Sequence, residues 1–388
     1  MFTQKKINRK IENIRALLKY PRISKLLKEH DLFFFFPFWQ YGGGERVHSD
    51  ILNVFRDVPC VCFLTDKSVN DAYKAEFQAA SETMEIGRWA FKGSFKELML
   101  KKMANELNRK KHPVVFGCHS PFFYSLLPLL DGHVKTVDLT HAFTFDPQGA
   151  ENYSLPYVKH LKKRVILGEN AKNDYREQYQ KNNLPLEYLN RLVIIPNKVK
   201  IPDSETVKAF NFPLNVLFVS RNADEKRPEL FVKIANESFH RQLPFHFQMI
   251  GDFLSYRDQV KSNTSLIGPI YEREQLNSYY KAAHIILITS WREGFPMVIL
   301  EGMCYGVVPI STAVGEIPSY IRPEHKNGFL IPNDLNDEKI VEGFIKTLTE
   351  ISTDIGELKE CNKNCYSYVK ENFNEDKFSK SYKELLLD

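Results

Sequence analysis

Two glutamates, Glu293 and Glu301, lie in the stretch SWREGFPMVILEGMCYGVVPISTAVGEIPSYI, residues 290–321. Pro296 suits the first turn of a helix, where its missing N–H is not needed, and Gly306 suits the end of that helix. Glu293 would then precede the helix, and Glu301 would lie just over one turn inside it. Carboxylates placed there could bind sugar and ribose hydroxyls on either side of an anion. The same pair also fits a helix cap and a solvated helix face.

An anion at this helix start would meet backbone N–H groups that have no partner inside the helix. The groups concerned belong to Gly294, Phe295, Met297 and Val298. Two cations, Arg221 and Lys226, follow another apolar run in the segment 216–236. A forked guanidinium and a compact ammonium are different kinds of cationic donor, and surface charge after a strand is the alternative interpretation.

Three glycines follow an apolar run near the N-terminus, in LFFFFPFWQYGGGERVHSDIL, residues 32–52. The run 32–36 is typical of a strand buried on both faces, so the glycines lie where a strand ends and a helix begins. Because glycine permits close backbone approach and positive φ, Gly43 and Gly44 are predicted to form a phosphate-facing loop. A tight strand-to-helix turn is the alternative interpretation.

Two of the eleven histidines follow apolar runs of the first half, His119 in VVFGCHSP and His141 in VDLTHAFTFD. A side chain directly after a strand of an α/β sheet lies where such sheets bind ligands. Both histidines are therefore candidates for a functional site. Each also fits a structural histidine that is bonded to loop backbone.

The composition describes an ordinary globular protein. The chain has 388 residues, 43% hydrophobic and 26% charged, which leaves room for two domains. A net charge of +5 gives no reason to expect a nucleic-acid partner. The six cysteines are sparse, so we expect them to be reduced and structural. No second Cys/His pair at zinc spacing accompanies Cys361 and Cys365, and we expect neither a metal nor a cofactor.

Residues 1–30 are strongly basic, with nine Lys and Arg residues against two glutamates. Isoleucine and leucine recur among them at helical spacing, and Pro21 divides the segment. This pattern fits a basic helix on an anionic membrane surface, and it also fits a solvated helix that covers the first domain. No apolar run approaches the roughly 18 residues of a membrane-spanning helix. We therefore expect a cytoplasmic protein that, in the first case, is peripheral on the inner face of the membrane.

Apolar runs alternate with stretches of helical periodicity along the whole chain. In the first half the predicted strands are 32–36, 58–64, 112–118, 134–140, 164–167 and 191–196. In the second half they are 215–220, 245–251, 265–268, 284–290, 307–311 and 328–332. Helical periodicity is clearest over 95–111, 227–241 and 272–283. Strands that alternate with helices imply parallel sheets with helices on both faces.

We therefore predict an α/β fold with two doubly wound, Rossmann-like domains. The polar, proline-containing stretch 196–213 is the best linker, so the domains are expected at residues 1–200 and 201–370. Residues 371–388 are expected to form a helix that packs back on the first domain. Ligands bind beyond the carboxyl ends of such strands, so two facing domains would form a cleft there.

The stretch that begins at Glu293 resembles the signature of the family 4 retaining glycosyltransferases. The family pattern, E-G-F-P…E-x-M-x-x-G-x-P-V-I…G, is matched by EGFP at 293–296, EGM at 301–303, GVVPI at 306–310 and VG at 314–315. The order Val308-Pro309 reverses the usual Pro-Val. The segment 216–236 resembles the family's strand, G-R-L, lysine and helix, and YGGGER resembles its Gly-Gly-x-Glu-Arg loop. In 194–202, Lys198 and Lys200 replace a usual glycine and aspartate.

This resemblance implies the GT-B fold, two facing Rossmann-like domains with an interdomain cleft, and it implies a role for each candidate residue. Arg221 and Lys226 match the basic pair that grips the diphosphate of the donor. Glu293 would bind hydroxyls of the donor sugar, and Glu301 would bind the ribose. Gly43 and Gly44 would face the diphosphate, and His141 would donate a hydrogen bond to the donor sugar or steer the acceptor hydroxyl.

The resemblance further implies sugar transfer without a metal and with retained anomeric configuration. The acceptor would attack the face from which the diphosphate leaves, and the leaving phosphate would take its proton. A double displacement needs a carboxylate nucleophile, which the sequence does not locate. The expected donor is a UDP- or GDP-sugar, and the expected acceptor is a glycan or a lipid-linked glycan of a bacterial surface polysaccharide. A nucleotide-sugar epimerase of the same fold and a non-enzymatic two-lobed sugar-binding protein are the alternatives.

Overall fold

The computed structural model describes residues 20–87, 94–143 and 149–388. They form two compact units, each built on one parallel sheet with helices. The first unit comprises the described residues of Met1–Leu167 and Ala171–Ile195, together with Ser379–Asp388. The second unit comprises Gly168–Asn170 and Pro196–Phe378. The predicted α/β fold of two doubly wound sheets is confirmed.

The sheet of the first unit has the strand order β3-β2-β1-β4-β5-β6-β7, with all described pairs parallel. Its strands are β1 (Leu32–Phe36), β2 (Cys60–Leu64), β3 (Glu82–Glu85), β4 (Val114–Cys118), β5 (Lys135–Leu139), β6 (Lys163–Ile166) and β7 (Leu192–Ile194). The accompanying helices are α1 (residues 20–29), α2 (Gly43–Val54), α3 (Lys74–Ala80), α4 (Ser94–Asn108), α5 (Pro121–Leu126), α6 (Ala150–Tyr153) and α7 (Glu169–Lys181).

The sheet of the second unit has the order β10-β9-β8-β11-β12-β13, also parallel. Its strands are β8 (Leu214–Val219), β9 (Phe245–Ile250), β10 (Thr264–Gly268), β11 (Ile285–Ile288), β12 (Val308–Thr312) and β13 (Phe329–Ile331). The helices that follow are α8 (Pro228–His240), α9 (Arg273–Ala282), α10 (Met297–Met303), α11 (Ile317–Tyr320), α12 (Asp337–Thr353), α13 (Gly356–Asn372) and α14 (Glu375–Leu387).

The burial of each strand explains whether it could be predicted from the sequence. All five residues of β1 are buried because the strand lies inside the sheet between β2 and β4. The edge strand β3 was not predicted, because only Met84 of its four residues is buried and its pattern is therefore polar. Each of the other twelve strands coincides with a predicted run to within two residues at either end.

Strand order reverses at one place in each sheet. In the first unit the chain builds outward from β1 in both directions, so the reversal lies between β1 and β4. In the second unit it lies between β8 and β11. Loops at the carboxyl ends of the two strands diverge at such a point and leave a crevice for a ligand. The candidate residues Arg221, Lys226 and Glu293 follow β8 and β11.

The helix α1 belongs to the basic N-terminal segment. Its side chains Ile23, Leu26 and Leu27 are buried in the core of the first unit, whereas its basic residues Arg22, Lys25 and Lys28 are exposed. Residues 20–29 of the segment therefore form a helix that packs on the first sheet. Residues 1–19, to which most of the membrane hypothesis refers, lie outside the described residues. Within the described part of the chain, no helix has the length and apolar character that crossing a bilayer requires.

Candidate active site

The second unit brings Lys226 and Glu293 together. The neighbouring strands β8 and β11 pair with Ile285 opposite Val216, so the loops that follow them emerge side by side. Nζ of Lys226, in the loop after β8, lies 2.7 Å from Oε1 of Glu293, in the loop after β11. The sequence placed both residues after strands, and the sheet order makes those strands adjacent.

Backbone contacts fix the loop that carries Lys226. The hydroxyl of Thr289, just after β11, lies 2.8 Å from the carbonyl oxygen of Lys226 and 3.0 Å from that of Arg227. The amide of Trp291 donates to the carbonyl of Glu225 over 3.0 Å. Arg227 has a φ of 47°, a left-handed conformation that redirects the chain into α8. These bonds fix the backbone from which the side chain of Lys226 extends toward Glu293.

Glu293 is held from two further directions. Its side chain is 8% exposed, and Oγ of Ser290 donates to Oε1 over 2.6 Å. Gly315, in the loop after β12, has a φ of 55°, and a Cβ there would lie 1.9 Å from the carbonyl oxygen of Glu293. The amide of Glu316 donates to the carbonyl of Gly294 over 3.1 Å. Position 315 therefore requires glycine for both its conformation and its space.

Arg221 and Glu301 lie in opposite environments. The side chain of Arg221 is 82% exposed, with NH2 3.4 Å from Oε1 of Glu225. Glu301 is buried in α10, where its Oε1 accepts from NH1 of Arg273 over 2.7 Å and its Oε2 from the hydroxyl of Tyr280 over 3.3 Å. Arg221 can therefore turn toward an incoming anion, whereas Glu301 is already oriented by a cation and a phenol.

The predicted helix start is present, and the helix is shorter than expected. Pro296 precedes α10, which ends at Met303 rather than near residue 305, and Gly306 turns the chain with a φ of 69°. No side chain caps the first turn. Phe295 packs its ring on Tyr320 and Phe373, so only its backbone is available to a ligand. Gly294, Met297 and Val298 flank it in partly exposed positions.

The first unit assembles histidines that are far apart in the sequence. His141 follows β5 and His48 lies in α2, yet their Nε2 atoms are 3.1 Å apart. His48 is buried and stacks on Phe36, with ring centroids 4.2 Å apart and an interplanar angle of 6°. The ring of His119, after β4, lies 5.2 Å from that of His141. Sequence analysis did not single out His48, although it lies within the quoted glycine-rich motif.

Burial keeps this pair neutral. It lowers the pKa of His141 to about 3, with a smaller contribution from the neighbouring charge of His119. Burial also lowers the pKa of His48 well below its ordinary value, and repulsion from His141 and His119 adds to the effect. Near neutral pH each imidazole therefore carries one hydrogen, which makes one nitrogen a donor and the other an acceptor.

The predicted glycines open α2, as expected of a strand-to-helix junction. Gly43 is its first residue, and a Cβ on Gly43 would meet nothing within 4 Å. A Cβ on Gly44 would lie 3.5 Å from both Cδ2 and Nε2 of His141. Gly44 therefore lies beside His141, and a Cβ at this position would make ordinary van der Waals contact with the ring.

One group of possible metal ligands occurs among residues 20–87, 94–143 and 149–388. His48, Cys118 and His141 place one ligand atom each within 4.8 Å of the others. Burial, reinforced by the charges of Asp138 and Glu45, raises the pKa of Cys118 well above its ordinary value. Metal binding at this group would require the Cys118 thiol to lose its proton. All six cysteines are free and buried.

Known proteins are similar to this chain in sequence. Residues 204–367 match the model of the family described as glycosyl transferases group 1. An uncharacterized glycosyltransferase of Methanocaldococcus jannaschii is 27% identical over 53% of this chain and 65% of its own length. A trehalose synthase of Thermococcus litoralis is 27% identical over 52% of this chain and 47% of its own length. The chain thus spans about half to two thirds of these relatives.

Solved structures resemble the whole chain. The lipopolysaccharide outer core galactosyltransferase WaaB has a TM-score of 0.67 at 16% identity, over 91% of this chain and 98% of its own. Anabaena HepE in complex with UDP has a TM-score of 0.68 at 15% identity, over the same shares of the two chains. At such identity the likeness shows the fold, which is GT-B. Residues 204–367 are thus similar to the domain of the glycosyl transferases group 1 family.

Proposed function

We propose that this chain is a retaining, metal-independent glycosyltransferase that uses a UDP- or GDP-sugar. Its acceptor is a glycan or a lipid-linked glycan of a bacterial surface polysaccharide. The observation that carries the proposal is the Lys226–Glu293 pair, which lies at the strand-order reversal of the group 1 domain. A cation next to a carboxylate matches the two parts of a nucleotide sugar, the diphosphate and the sugar hydroxyls.

The reaction breaks the bond between the anomeric carbon and the diphosphate, whose negative charge rises as the bond lengthens. Lys226 and Arg221 stabilise that charge, Lys226 from a fixed position and Arg221 as a mobile fork. The backbone N–H groups of Gly294, Phe295, Met297 and Val298 add donors at the start of α10. Gly43 and Gly44 bring a second, uncharged backbone segment to the phosphates.

Glu293 binds the sugar, because its buried carboxylate is oriented by Ser290 and Lys226, both of which bond to Oε1. Glu301 binds the ribose, and Arg273 holds its carboxylate in place through a hydrogen bond. The acceptor oxygen forms its bond on the face from which the diphosphate departs. The acceptor's proton passes to the departing phosphate, and His141 donates a hydrogen bond to the donor sugar or steers the acceptor hydroxyl.

Two solved structures of Anabaena HepE are described as containing UDP and UDP-glucose, so UDP-sugars are the first donors to test. The experiment incubates the purified chain with UDP-, GDP- and ADP-sugars without an acceptor and measures release of the nucleoside diphosphate, with and without EDTA. Slow, EDTA-insensitive release from one donor is expected. Rapid release would identify a nucleotide-sugar epimerase. Donor binding without any release, even with added glycan acceptors, would contradict the transferase.

The protein is further proposed to bind an anionic membrane surface through residues 1–19. Six Lys and Arg residues against one glutamate in that segment support this proposal. A lipid-linked acceptor lies at such a surface, so loose attachment would bring enzyme and acceptor together.

A further inference from the structure

Only one hydrogen atom can lie between Nε2 of His48 and Nε2 of His141. Their Nε2 atoms are 3.1 Å apart, a hydrogen-bond distance, so one nitrogen donates and the other accepts. Two arrangements satisfy this condition. Either Nε2–H of His48 donates to His141, or Nε2–H of His141 donates to His48.

The two arrangements differ at the far nitrogen of His48. Nδ1 of His48 is buried and has no hydrogen-bond partner among residues 20–87, 94–143 and 149–388. If His141 were the donor, the single hydrogen of neutral His48 would lie on Nδ1, and a buried N–H would remain unpaired. If His48 is the donor, only a lone pair on Nδ1 remains unpaired. Orphaned buried N–H groups are rarer in native proteins than under-satisfied acceptors, as backbone groups show.

Packing holds the ring of His48 between Phe36, on which it stacks, and His141. A rotation out of the ring plane would break the stacking, and a 180° flip within the plane would replace Nε2 by a carbon at the contact with His141. The orientation of His48 is therefore a property of the packed core.

We propose that His48 is a positioning residue that fixes His141 as its Nδ1–H tautomer. Nε2 of His141 is then occupied as an acceptor, and the group that His141 presents to a ligand is an N–H donor. This inference deepens the proposed function of His141 and rests on it for its catalytic meaning. It makes His141 a donor to a sugar or acceptor oxygen and not the base that removes the acceptor proton. The departing diphosphate keeps that role.

The tautomer can be measured on the free protein, without any substrate. The experiment is nitrogen NMR of the full chain labelled with ¹⁵N-histidine near pH 7, in which the two ring nitrogens of each tautomer differ in shift. The His141 signals are assigned by their loss in His141→Gln. His284 provides an internal reference of opposite type. The amide of Asn215 donates to its Nδ1 over 3.0 Å, and its Nε2 lies 2.9 Å from the carbonyl oxygen of Ala209, so His284 must be the Nε2–H form.

We expect His141 to show Nδ1–H and an unprotonated Nε2. An Nε2–H signal for His141 in the unmodified protein overturns the inference, whether or not the protein transfers sugar. An Nδ1–H signal in a protein that transfers no sugar from any donor supports the tautomer assignment and contradicts the proposed function instead. The two failures are therefore distinguishable.

Two substitutions then separate hydrogen bonding from packing. His48→Gln keeps an N–H donor near the position of Nε2, whereas His48→Phe keeps the ring and removes the donor. With saturating donor sugar, we expect kcat to fall roughly tenfold in His48→Phe, the scale of one hydrogen bond, with KM for the donor little changed. His48→Gln should keep most of the activity and the Nδ1–H tautomer of His141. Equal losses in the two variants, with an unchanged His141 tautomer in both, would contradict the positioning role.

Discussion

Nζ of Lys226 lies 2.7 Å from Oε1 of Glu293, so the ends of two neighbouring strands are joined by an ion pair at the reversal of the second sheet. The lysine side chain is 21% exposed and that of the glutamate 8%. A partly buried pair of this kind holds each charge in a fixed direction. A diphosphate that approaches Lys226 would compete with Glu293 for the ammonium and leave the carboxylate freer to bind hydroxyls.

Replacing the cations should impair turnover far more than folding. We expect Lys226→Ala and Arg221→Ala each to lower kcat/KM by about 100-fold or more, the scale of one preorganised electrostatic contact. The melting temperature of Arg221→Ala should not change, because the side chain is 82% exposed. The exposed Lys233 on α8 provides a matched control, and Lys233→Ala should behave as the unmodified protein. Near-normal turnover in either cation variant would disprove its role.

The two glutamates should affect different kinetic parameters. Glu293→Gln is expected mainly to lower kcat, because a contact to the reacting sugar strengthens as charge develops. Glu301→Gln is expected to raise KM and to weaken binding of the bare nucleoside diphosphate, because a ribose contact is similar in ground and transition states. Calorimetric titration with UDP measures the second effect. Equal loss of UDP affinity in both variants would show that this division of roles is wrong.

A buried ion pair in the first sheet should dominate its stability. Asp138 of β5 lies opposite Arg164 of β6, with both side chains at most 2% exposed and NH2 of Arg164 2.6 Å from Oδ2. The hydroxyl of Tyr124 also donates to that oxygen, over 2.8 Å. Asp138→Asn leaves the guanidinium buried without its counter-charge, so we expect a loss of about 3–5 kcal/mol in the free energy of unfolding.

Urea unfolding of Asp138→Asn provides the measurement. The exposed Asp57 is the control, and Asp57→Asn should change the free energy of unfolding by less than about 0.5 kcal/mol. A stable Asp138→Asn variant would mean that the pair contributes little beyond the packing around it.

Stability should fall on mild acidification because of the histidine pair. Burial lowers the pKa of His48 and His141 below the ordinary value of 6.5, that of His141 to about 3. At a pH below 6.5 but above the lowered pKa values, these histidines bind protons in the unfolded chain and not in the folded chain. Their contribution to stability is therefore full above about pH 6.5 and is lost as the pH falls. Each histidine contributes at most about 1.4 kcal/mol per pH unit.

The free energy of unfolding at pH 7 and pH 5 measures this loss, and His48→Gln should reduce it. Carboxylates also titrate in this range, so the loss in the free energy of unfolding must be compared between His48→Gln and the unmodified protein. Identical losses in the variant and the unmodified protein would mean that His48 is not held neutral by the fold.

Membrane attachment should depend on residues 1–19 and not on α1. Ile23, Leu26 and Leu27 are core residues, so a truncation that keeps residues 20–388 should fold as the full chain does. We expect the full chain to sediment with vesicles of high anionic content at low salt, and to lose that binding in several hundred millimolar salt, where the Debye length is only a few ångströms. The truncated chain should remain in the supernatant. Equal, negligible sedimentation of both would exclude the membrane role.

The sequence by itself determined the repeating α/β pattern and the strands. Runs such as Leu32–Phe36 are apolar because strands inside a parallel sheet are buried on both faces. Arg221, Lys226 and Glu293 could be selected because they follow such runs, and Glu301 because it lies in the motif that resembles the glycosyltransferase signature. The edge strand Glu82–Glu85 could not be found, because a strand with one buried residue has no apolar signature.

Tertiary structure decided which of these residues meet. Strand order places the loops of Lys226 and Glu293 side by side, and no local pattern encodes that order. The bond between Arg273 and Glu301, and the contact of His48 with His141 across 93 residues of chain, are likewise products of packing. Spacing along one helix or one strand reveals only residues that share that element. The partner that orients a side chain lies on another element, and only the folded chain brings the two together.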